Sequence, residues 1–254
     1  MSSLSDDLGN QVELETPVHA VVSIVPSLTE SVASAAPEVL VGATDWCTEP
    51  GWLRVTRVGG TKNPDVDRIV RLAPDVVLAN QEENRPDDLR RLRSAGIPVW
   101  VTAPRTVPDG LSSLERMLQA LGLEPPRWLE RARASWAGPL PPILARAVIP
   151  IWRRPWMAVG HGTFTGDVLR RLGVENVLAN HPERYPRIDP DRLPAHDLVV
   201  LPDEPYPFAP EDGPEAFPGA RHACVSGRHL EWYGPSLAVA RDVLTRQLDL
   251  PSRL

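Results

Sequence analysis

Lysine is almost absent from this chain of 254 residues. Lys62 is the only one, and scattered arginines supply the rest of the positive charge, against a formal net charge of −6. Proteins that bind nucleic acids need a basic surface, because their affinity comes mainly from contacts with phosphates. The acidic balance and the dispersed arginines therefore argue against a nucleic-acid-binding protein.

Long apolar runs are also lacking. No segment approaches the ~18 consecutive apolar residues of a membrane span. The first twenty residues contain two Asp and two Glu and no apolar run, whereas a secretory signal peptide needs a basic start followed by about 7–15 apolar residues. We therefore expect no membrane insertion and no export, and predict a cytoplasmic location.

The sequence has few of the motifs that identify a reaction. Its two cysteines, Cys47 and Cys224, form no CxxC pair, so they indicate neither a zinc knuckle nor a disulfide framework. The chain has no GxSxG elbow of a serine hydrolase, and residues 59–62 do not match a phosphate-binding loop. The combined content of 17 Gly and 29 Pro is below the range of low-complexity sequences, which excludes a chain that is disordered throughout.

Short β-branched segments alternate with amphipathic ones along most of the chain. Residues 20–25 read as a buried strand, and Ser27 with Glu30 fits a capping box at the start of a helix. This alternation predicts an α/β protein with parallel sheets covered by helices.

The alternation stops at a proline-rich break and then starts again, which predicts two α/β lobes and a mostly helical connector. The N-terminal α/β lobe is expected over 18–109, a helical connector over 110–142 and a C-terminal α/β lobe over 143–254.

Ligands of open parallel sheets bind beyond the carboxyl ends of the strands, so we expect a ligand cleft between the two lobes. Aromatic side chains in the strand-end loops would stack on a planar or macrocyclic ligand, although each ring could instead pack beneath its own loop. Polar side chains in the same loops would contact the ligand periphery. The predicted ligand-binding residues are Trp46, Lys62, Asn63, Glu82, Asn84, Arg154, Trp156, His161, Tyr185, Trp232 and Tyr233.

Two chemical alternatives remain open. His161 or His229 could be the axial ligand of a bound metal, although neither belongs to an HxxxH or HxH pair. An enzyme could use Glu82 and Glu83 as acid–base carboxylates together with His161 and Cys47 around a small substrate.

Four segments in a fixed order carry a family resemblance: VSIVPSLTE from residue 22, VGATDWC from 41, VGGTKNPD from 58 and LAPDVV from 72. This order resembles the substrate-binding proteins of the vitamin B12 and iron-chelate ABC transporters, the helical-backbone metal-receptor superfamily, whose fold is that of the class III periplasmic binding proteins. The resemblance implies two Rossmann-like lobes joined by a long backbone helix.

The resemblance also implies site residues. Trp46, Trp156 and Tyr185 fall at positions that hold a corrinoid in cobalamin-binding members. Asp67 and Asp191 fall near the acidic positions that meet the ABC permease, but the absence of a leader argues against a permease partner.

The favoured hypothesis is therefore a cytosolic binding protein for a metal chelate, such as a corrinoid (cobalamin-like) or a related tetrapyrrole. The first alternative is an enzyme that has recruited this fold. The second is an ABC-transporter substrate-binding protein whose leader is missing from the sequence.

Overall fold

A computed structural model describes residues 2–250. The chain divides into two compact units. The first comprises the residues up to Pro104 together with Asp109–Arg131 and Tyr233–Pro235, and the second comprises Arg105–Pro108, Ala132–Trp232 and the chain from Ser236. Among the described residues, every helix is too short or too polar to cross a membrane.

Strands and helices alternate through both units, as the sequence predicts. The strands are β1 Ser2–Ser5, β2 Gln11–Leu14, β3 Val21–Ser23, β4 Leu40–Ala43, β5 Thr56–Arg57, β6 Val76–Asn80, β7 Val99–Thr102, β8 Ala145–Val148, β9 Pro150–Trp152, β10 Met157–Ala158, β11 Val174–Asn176, β12 Leu198–Pro202 and β13 Arg221–Val225. The helices are α1 Pro26–Ala35, α2 Val66–Leu72, α3 Pro86–Ser94, α4 Val107–Ala120, α5 Arg127–Ser135, α6 Phe164–Arg171, α7 Gly227–Glu231 and α8 Leu237–Gln247.

A five-stranded parallel sheet of order β5-β4-β3-β6-β7 forms the centre of the first unit. All five residues of β6 and all four of β7 are buried, as expected for a parallel sheet that is covered on both faces. On one face, alternate side chains of β3, β6 and β7 pack against the apolar residues of α2 and α3. The parallel α/β architecture is confirmed.

A hairpin of β1 and β2 lies beside this sheet, although the sequence analysis placed no element before residue 18. The amide of Asp7 donates to the carbonyl of Val101 in β7 at 3.1 Å. The carboxylate of Asp7 accepts from the amide of Ala103 at 2.8 Å and from the hydroxyl of Ser113 at 2.6 Å, and it pairs with Arg116. The hairpin therefore satisfies backbone groups at the outer edge of the sheet.

The second unit contains a parallel sheet of order β11-β8-β12-β13, and β9 and β10 form an antiparallel pair beside it. All five residues of β12 are buried. Two phenylalanines beyond β12, Phe208 and Phe217, complete the core cluster that includes Val199 and Leu201 of this strand.

Two features of the helices differ from the sequence-based expectations, namely the start of α1 and the division of the connector. Ser27 does not cap α1, because the helix begins at Pro26, where the fixed φ of proline suits the first helical turn. Helix α6 is capped by Thr163, whose hydroxyl accepts from the amide of Gly166 at 3.2 Å. The connector contains two helices, α4 and α5, separated by a turn at Gly122 with φ +73° and two prolines.

Substitution of Asp7 tests whether its hydrogen bonds stabilise the attachment of the hairpin to the sheet. Asp7→Ala leaves the amide of Ala103 and the hydroxyl of Ser113 without their acceptor, so we expect a loss of about 1–3 kcal/mol in the free energy of unfolding. Urea denaturation followed by circular dichroism measures it. The control is Asp87→Ala, which removes a fully surface-exposed ion pair with Arg90 and is expected to cost less than about 1 kcal/mol. Equal losses in the two variants would contradict this role for Asp7.

Candidate functional site

Three loops of the first unit meet at the carboxyl ends of its strands: residues 44–49 after β4, residues 59–64, and residues 81–85 after β6. The amide of Asp45 donates to the carbonyl of Gly59 at 2.9 Å, and the ammonium of Lys62 donates to the carbonyl of Glu82. The indole nitrogen of Trp46 lies 3.7 Å from the position that a Cβ on Gly60 would occupy. We call these three loops the first-unit rim.

Two buried asparagines form hydrogen bonds with backbone groups of the first-unit rim. Asn80, the last residue of β6, accepts from the amides of Glu82 and Glu83 at 2.7 and 3.1 Å. The Asn84 carboxamide donates to the carbonyls of Ile24 and Thr61 at 3.2 and 2.9 Å and accepts from the amide of Asn80 at 2.7 Å. Because its polar atoms are all engaged with the backbone, Asn84 supports the loops, whereas the sequence analysis placed it in contact with the ligand.

The other predicted residues of the rim lie at its surface. Trp46 is 69% exposed, Lys62 and Asn63 are exposed, and Glu82 is half-buried. The structure thus brings together a large aromatic face, the only lysine of the chain and polar side chains on adjoining loops. Their role in binding stays a prediction.

Tyr233 lies within the first unit, and its predicted role as a stacking surface is wrong. The side chain is 4% exposed, and its hydroxyl lies 2.7 Å from Nδ2 of Asn80 and 2.8 Å from Oγ1 of Thr102. Burial raises the pKa of the Tyr233 phenol well above its ordinary value, and the nearby charge of Glu83 adds to this shift. Tyr233 is thus a neutral, hydrogen-bonded core residue. The prediction failed because the sequence pattern of a loop does not reveal which of two adjacent aromatic residues turns inward.

Cys47 does not have the properties of the nucleophile in the enzymatic alternative. The side chain is 1% exposed, and its Sγ lies 3.0 Å from Oγ1 of Thr29 and 3.1 Å from Oγ1 of Thr44. Burial raises the pKa of the Cys47 thiol above its ordinary value and outweighs these hydrogen bonds, while the charge of Glu83 shifts it in the same direction. A protonated, enclosed thiol is a packing group rather than a reactive one.

In the second unit, the loop that carries His161 adjoins the segment that carries Tyr185. The amide of Gly160 donates to the carbonyl of Arg184 at 2.7 Å, and the guanidinium of Arg184 donates to the carbonyl of Gly162 at 2.7 Å. A Cβ at Gly160 would overlap the carbonyl oxygen of Glu183, so only glycine permits this approach. His161 is exposed and Tyr185 is half-buried.

Trp156 packs mainly inside the second unit. Its ring lies parallel to that of Phe208, with 5.9 Å between centroids, and edge-on to Phe217 at 5.1 Å. The guanidinium of Arg153 lies 5.2 Å from the Trp156 ring centroid. Trp156 thus belongs to an aromatic cluster beneath the loops, which limits the face it could offer to a ligand, while its neighbour Arg154 is exposed at a φ of +65°.

A cluster follows β12 and β13 in which the predicted residues Trp232 and His229 lie beside Glu204, a residue for which the sequence predicted no role. The carboxyl of Glu204 is hydrogen-bonded to the side chain of Trp232, and burial, assisted by the negative charge of Asp203, raises the pKa of Glu204 to about 7. Trp232 is half-buried, and the guanidinium of Arg228 lies 5.8 Å from its ring centroid. The sequence feature that could have indicated this cluster is the acidic pair Asp203 and Glu204, which directly follows a predicted strand in a proline-rich segment.

His229 lies in α7 of the same cluster. Its Nδ1 lies 2.9 Å from the hydroxyl of Ser226, and burial and the adjacent Arg228 lower the pKa of its imidazole. Over residues 2–250, no group of three or more His, Cys, Asp or Glu side chains is placed to hold a metal ion.

The two acidic residues expected near a permease lie at separate surfaces. Asp67, in α2, accepts a hydrogen bond from Arg91 at 3.4 Å beside a shallow groove of about 700 Å³ between α2 and α3. Asp191 lies in a short 3₁₀ turn after Asp189, whose carboxylate accepts from its amide at 3.2 Å. Docking by either residue stays a prediction.

Comparison with known proteins finds similarity to periplasmic binding proteins. Residues 21–124 match a family model described as "Periplasmic binding protein". The vitamin B12-binding protein of Vibrio parahaemolyticus serotype O3:K6 is 25% identical over 198 residues, which cover 73% of this chain and 70% of that protein.

Two solved structures share the fold. The periplasmic vitamin B12 binding protein BtuF of Vibrio cholerae matches with a TM-score of 0.69 and 19% identity over 92% of this chain and 97% of that one. The periplasmic heme-binding protein RhuT from Roseiflexus sp. RS-1 matches with a TM-score of 0.70 and 18% identity over 91% of this chain and 98% of that one. The chain has the fold of a class III periplasmic binding protein, as the resemblance of its sequence motifs implied.

These relatives also correct the predicted location. The matching family and both solved structures are periplasmic binding proteins, so the prediction of a cytoplasmic protein is wrong. That prediction relied on the acidic composition of the first twenty residues, several of which form the β1–β2 hairpin of the first unit.

The hydrogen bonds of Tyr233 predict a measurable coupling with Thr102. Tyr233→Phe and Thr102→Val should each lower the free energy of unfolding by about 1–2 kcal/mol, because each removes a buried hydrogen-bonding group. The double variant should lose less than the sum of the two single losses, since both remove the same bond. Urea denaturation of the four proteins measures the cycle, and strictly additive losses would contradict the shared bond.

The two cysteines should differ in reactivity. Iodoacetamide at pH 8 should label the exposed Cys224, whereas Cys47 should react only in denaturant, because its thiol is enclosed and protonated. Mass spectrometry of the labelled peptides distinguishes the two sites, with Cys224→Ser as the control. Rapid labelling of Cys47 in the native protein would revive the enzymatic alternative.

Proposed function

We propose that this chain is a periplasmic substrate-binding protein of an ABC importer and that its ligand is a metal-chelate tetrapyrrole. The observation that supports this most directly is the first-unit rim, where an exposed tryptophan and the only lysine stand at the carboxyl ends of a parallel sheet. Open α/β sheets bind ligands at this edge. The related proteins of the same fold are named for binding vitamin B12 or heme.

We propose a corrinoid as the ligand, with heme as the competing tetrapyrrole. In this assignment Trp46 of the first-unit rim provides an apolar contact with the macrocycle, and within the second unit Tyr185 and Trp232 stay candidate contacts. A large, stiff aromatic side chain buries much area at low entropic cost, which suits a flat ligand.

Polar contacts then fall to the side chains at the surface of the loops. Lys62, Asn63 and Glu82 of the first-unit rim are assigned to the ligand periphery. Arg154 of the second unit stays a candidate polar contact. His161 is the preferred candidate for an axial ligand, because it is exposed in a loop, whereas His229 is engaged with Ser226. The enzymatic alternative is not favoured, since the thiol that it requires is enclosed.

A titration of the purified protein with cyanocobalamin and, separately, with hemin tests the proposal. Isothermal calorimetry and visible absorption should show binding of at least one of them at micromolar concentration or tighter. Trp46→Ala should weaken that binding about tenfold or more, as expected for a central aromatic contact.

The matched control is Trp52→Ala, because Trp52 is similarly exposed at 59% but is not assigned to the ligand. It should bind like the wild type. Absence of binding by both compounds would overturn the tetrapyrrole assignment, and unchanged binding by Trp46→Ala would remove the first-unit rim from the site.

A further inference from the structure

The loops after β12 and β13 in the second unit lie close together and are joined by a hydrogen bond. The Oδ1 atom of Asp203 accepts from the amide of Gly227 at 2.7 Å. A Cβ at position 227 would overlap Cγ of Glu204 and would lie 3.1 Å from the amide nitrogen of Glu204. Glycine at 227 therefore lets the Glu204 side chain lie directly against the start of α7.

This placement brings the Glu204 carboxyl to the side chain of Trp232, just beyond the end of α7. The two side chains are hydrogen-bonded, and because an indole is a donor only, the carboxyl oxygen is the acceptor. The guanidinium of Arg228 lies 5.8 Å from the Trp232 ring centroid, within the range of a cation–π contact. Glu204 accepts from the indole N–H and Arg228 lies over the ring, so both residues restrict the orientation of the Trp232 side chain.

We propose that Glu204 is a positioning residue, which holds the indole ring of Trp232 in the orientation that binds the ligand by accepting its N–H hydrogen bond. This inference rests on the proposed function, in which Trp232 is a candidate contact with the macrocycle. Glu204 itself does not have to touch the ligand. Its role is to fix the ring before binding, which removes part of the ordering cost of association.

The charge state of Glu204 makes this role measurable. Burial and the neighbouring charge of Asp203 raise its pKa to about 7, while Trp232 and Arg228 oppose the rise. The charged and titratable groups that act on the cluster are Asp203 from its own loop and Arg228 and His229 from α7. As the pH rises through 7, the carboxyl ionises and becomes a stronger acceptor for the indole N–H, because hydrogen bonds to charged groups are the stronger ones.

The first measurement needs no ligand. Tryptophan fluorescence of the wild type should change between pH 5 and 9 with a midpoint near 7, and the change should be absent from Glu204→Gln and from Trp232→Phe. His229→Gln is the control for the nearby imidazole and should retain the transition. Persistence of the transition in Glu204→Gln, or its loss in His229→Gln, would overturn the inference.

The second measurement is the affinity for cyanocobalamin, or for hemin if only hemin binds, at several pH values. Wild-type affinity should rise about fivefold from pH 5.5 to pH 8.5, whereas the affinity of Glu204→Gln should stay close to the low-pH wild-type value. Comparing the two proteins at each pH removes any titration of the ligand itself.

The two measurements separate failure of this inference from failure of the proposed function. Equal pH profiles for wild type and Glu204→Gln would show that Glu204 does not position Trp232 for binding. If neither compound binds but the fluorescence transition still depends on Glu204, the tetrapyrrole assignment fails while the positioning of the Trp232 ring by Glu204 is supported.

Discussion

Buried carboxamides at the carboxyl ends of parallel strands are the constraint on which the candidate site depends. A parallel strand that ends inside the protein leaves backbone groups of the following loop without sheet partners, and such groups must be paired when they are buried. Asn80 pairs two amides of the loop after β6 and reaches Thr102 of β7. Asn176 does the same in the second unit, where its Nδ2 donates to the carbonyls of Val159 and Gly160 and its Oδ1 accepts from the amide of Leu178. In each unit, therefore, an asparagine at the last position of a strand fixes the loop that carries candidate ligand contacts.

This arrangement divides the polar residues of the loops into two groups with different roles. Asn80, Asn84 and Asn176 are buried, and each forms hydrogen bonds with backbone groups of the loops, so these side chains support the loop conformations. Lys62 and His161 are exposed on loops to which these carboxamides donate hydrogen bonds. Trp46 is exposed on the adjoining loop, which is joined to residues 59–64 by the hydrogen bond between Asp45 and Gly59. A binding surface benefits from this division, since a side chain that meets a ligand does so at lower entropic cost when the backbone beneath it is already fixed.

The sequence predicted the architecture well, because alternation of short β-branched segments with amphipathic helices is a direct consequence of burying a parallel sheet on both faces. It also predicted that the loops holding Trp46, Lys62 and Glu82 adjoin, since strand ends of one sheet lie at one edge. It could not assign the direction of individual side chains within those loops. Tyr233 was assigned to the ligand but is enclosed, and Cys47, which the enzymatic alternative needs accessible, is enclosed as well. Their orientations depend on tertiary partners such as Thr102 and Thr29, which lie far from them in the chain. The N-terminal hairpin was missed because its two four-residue strands carry mostly polar side chains.

Glu204 shows how a residue without a motif can still matter to a site. Its position after β12 is visible in the sequence, but its significance depends on burial, on Gly227 across the loop and on the indole of Trp232, none of which a local pattern reveals. A carboxyl with a pKa raised to about 7 by burial is costly to ionise, and such groups concentrate at functional sites. Glu204 lies at the carboxyl ends of two parallel strands, β12 and β13, and open α/β sheets bind ligands at this edge. The same burial that weakens ionisation also strengthens the hydrogen bond from Trp232 once the carboxylate forms, because the surrounding dielectric is low. In this proposal, the orientation of one aromatic ring is linked to the protonation of one half-buried carboxyl.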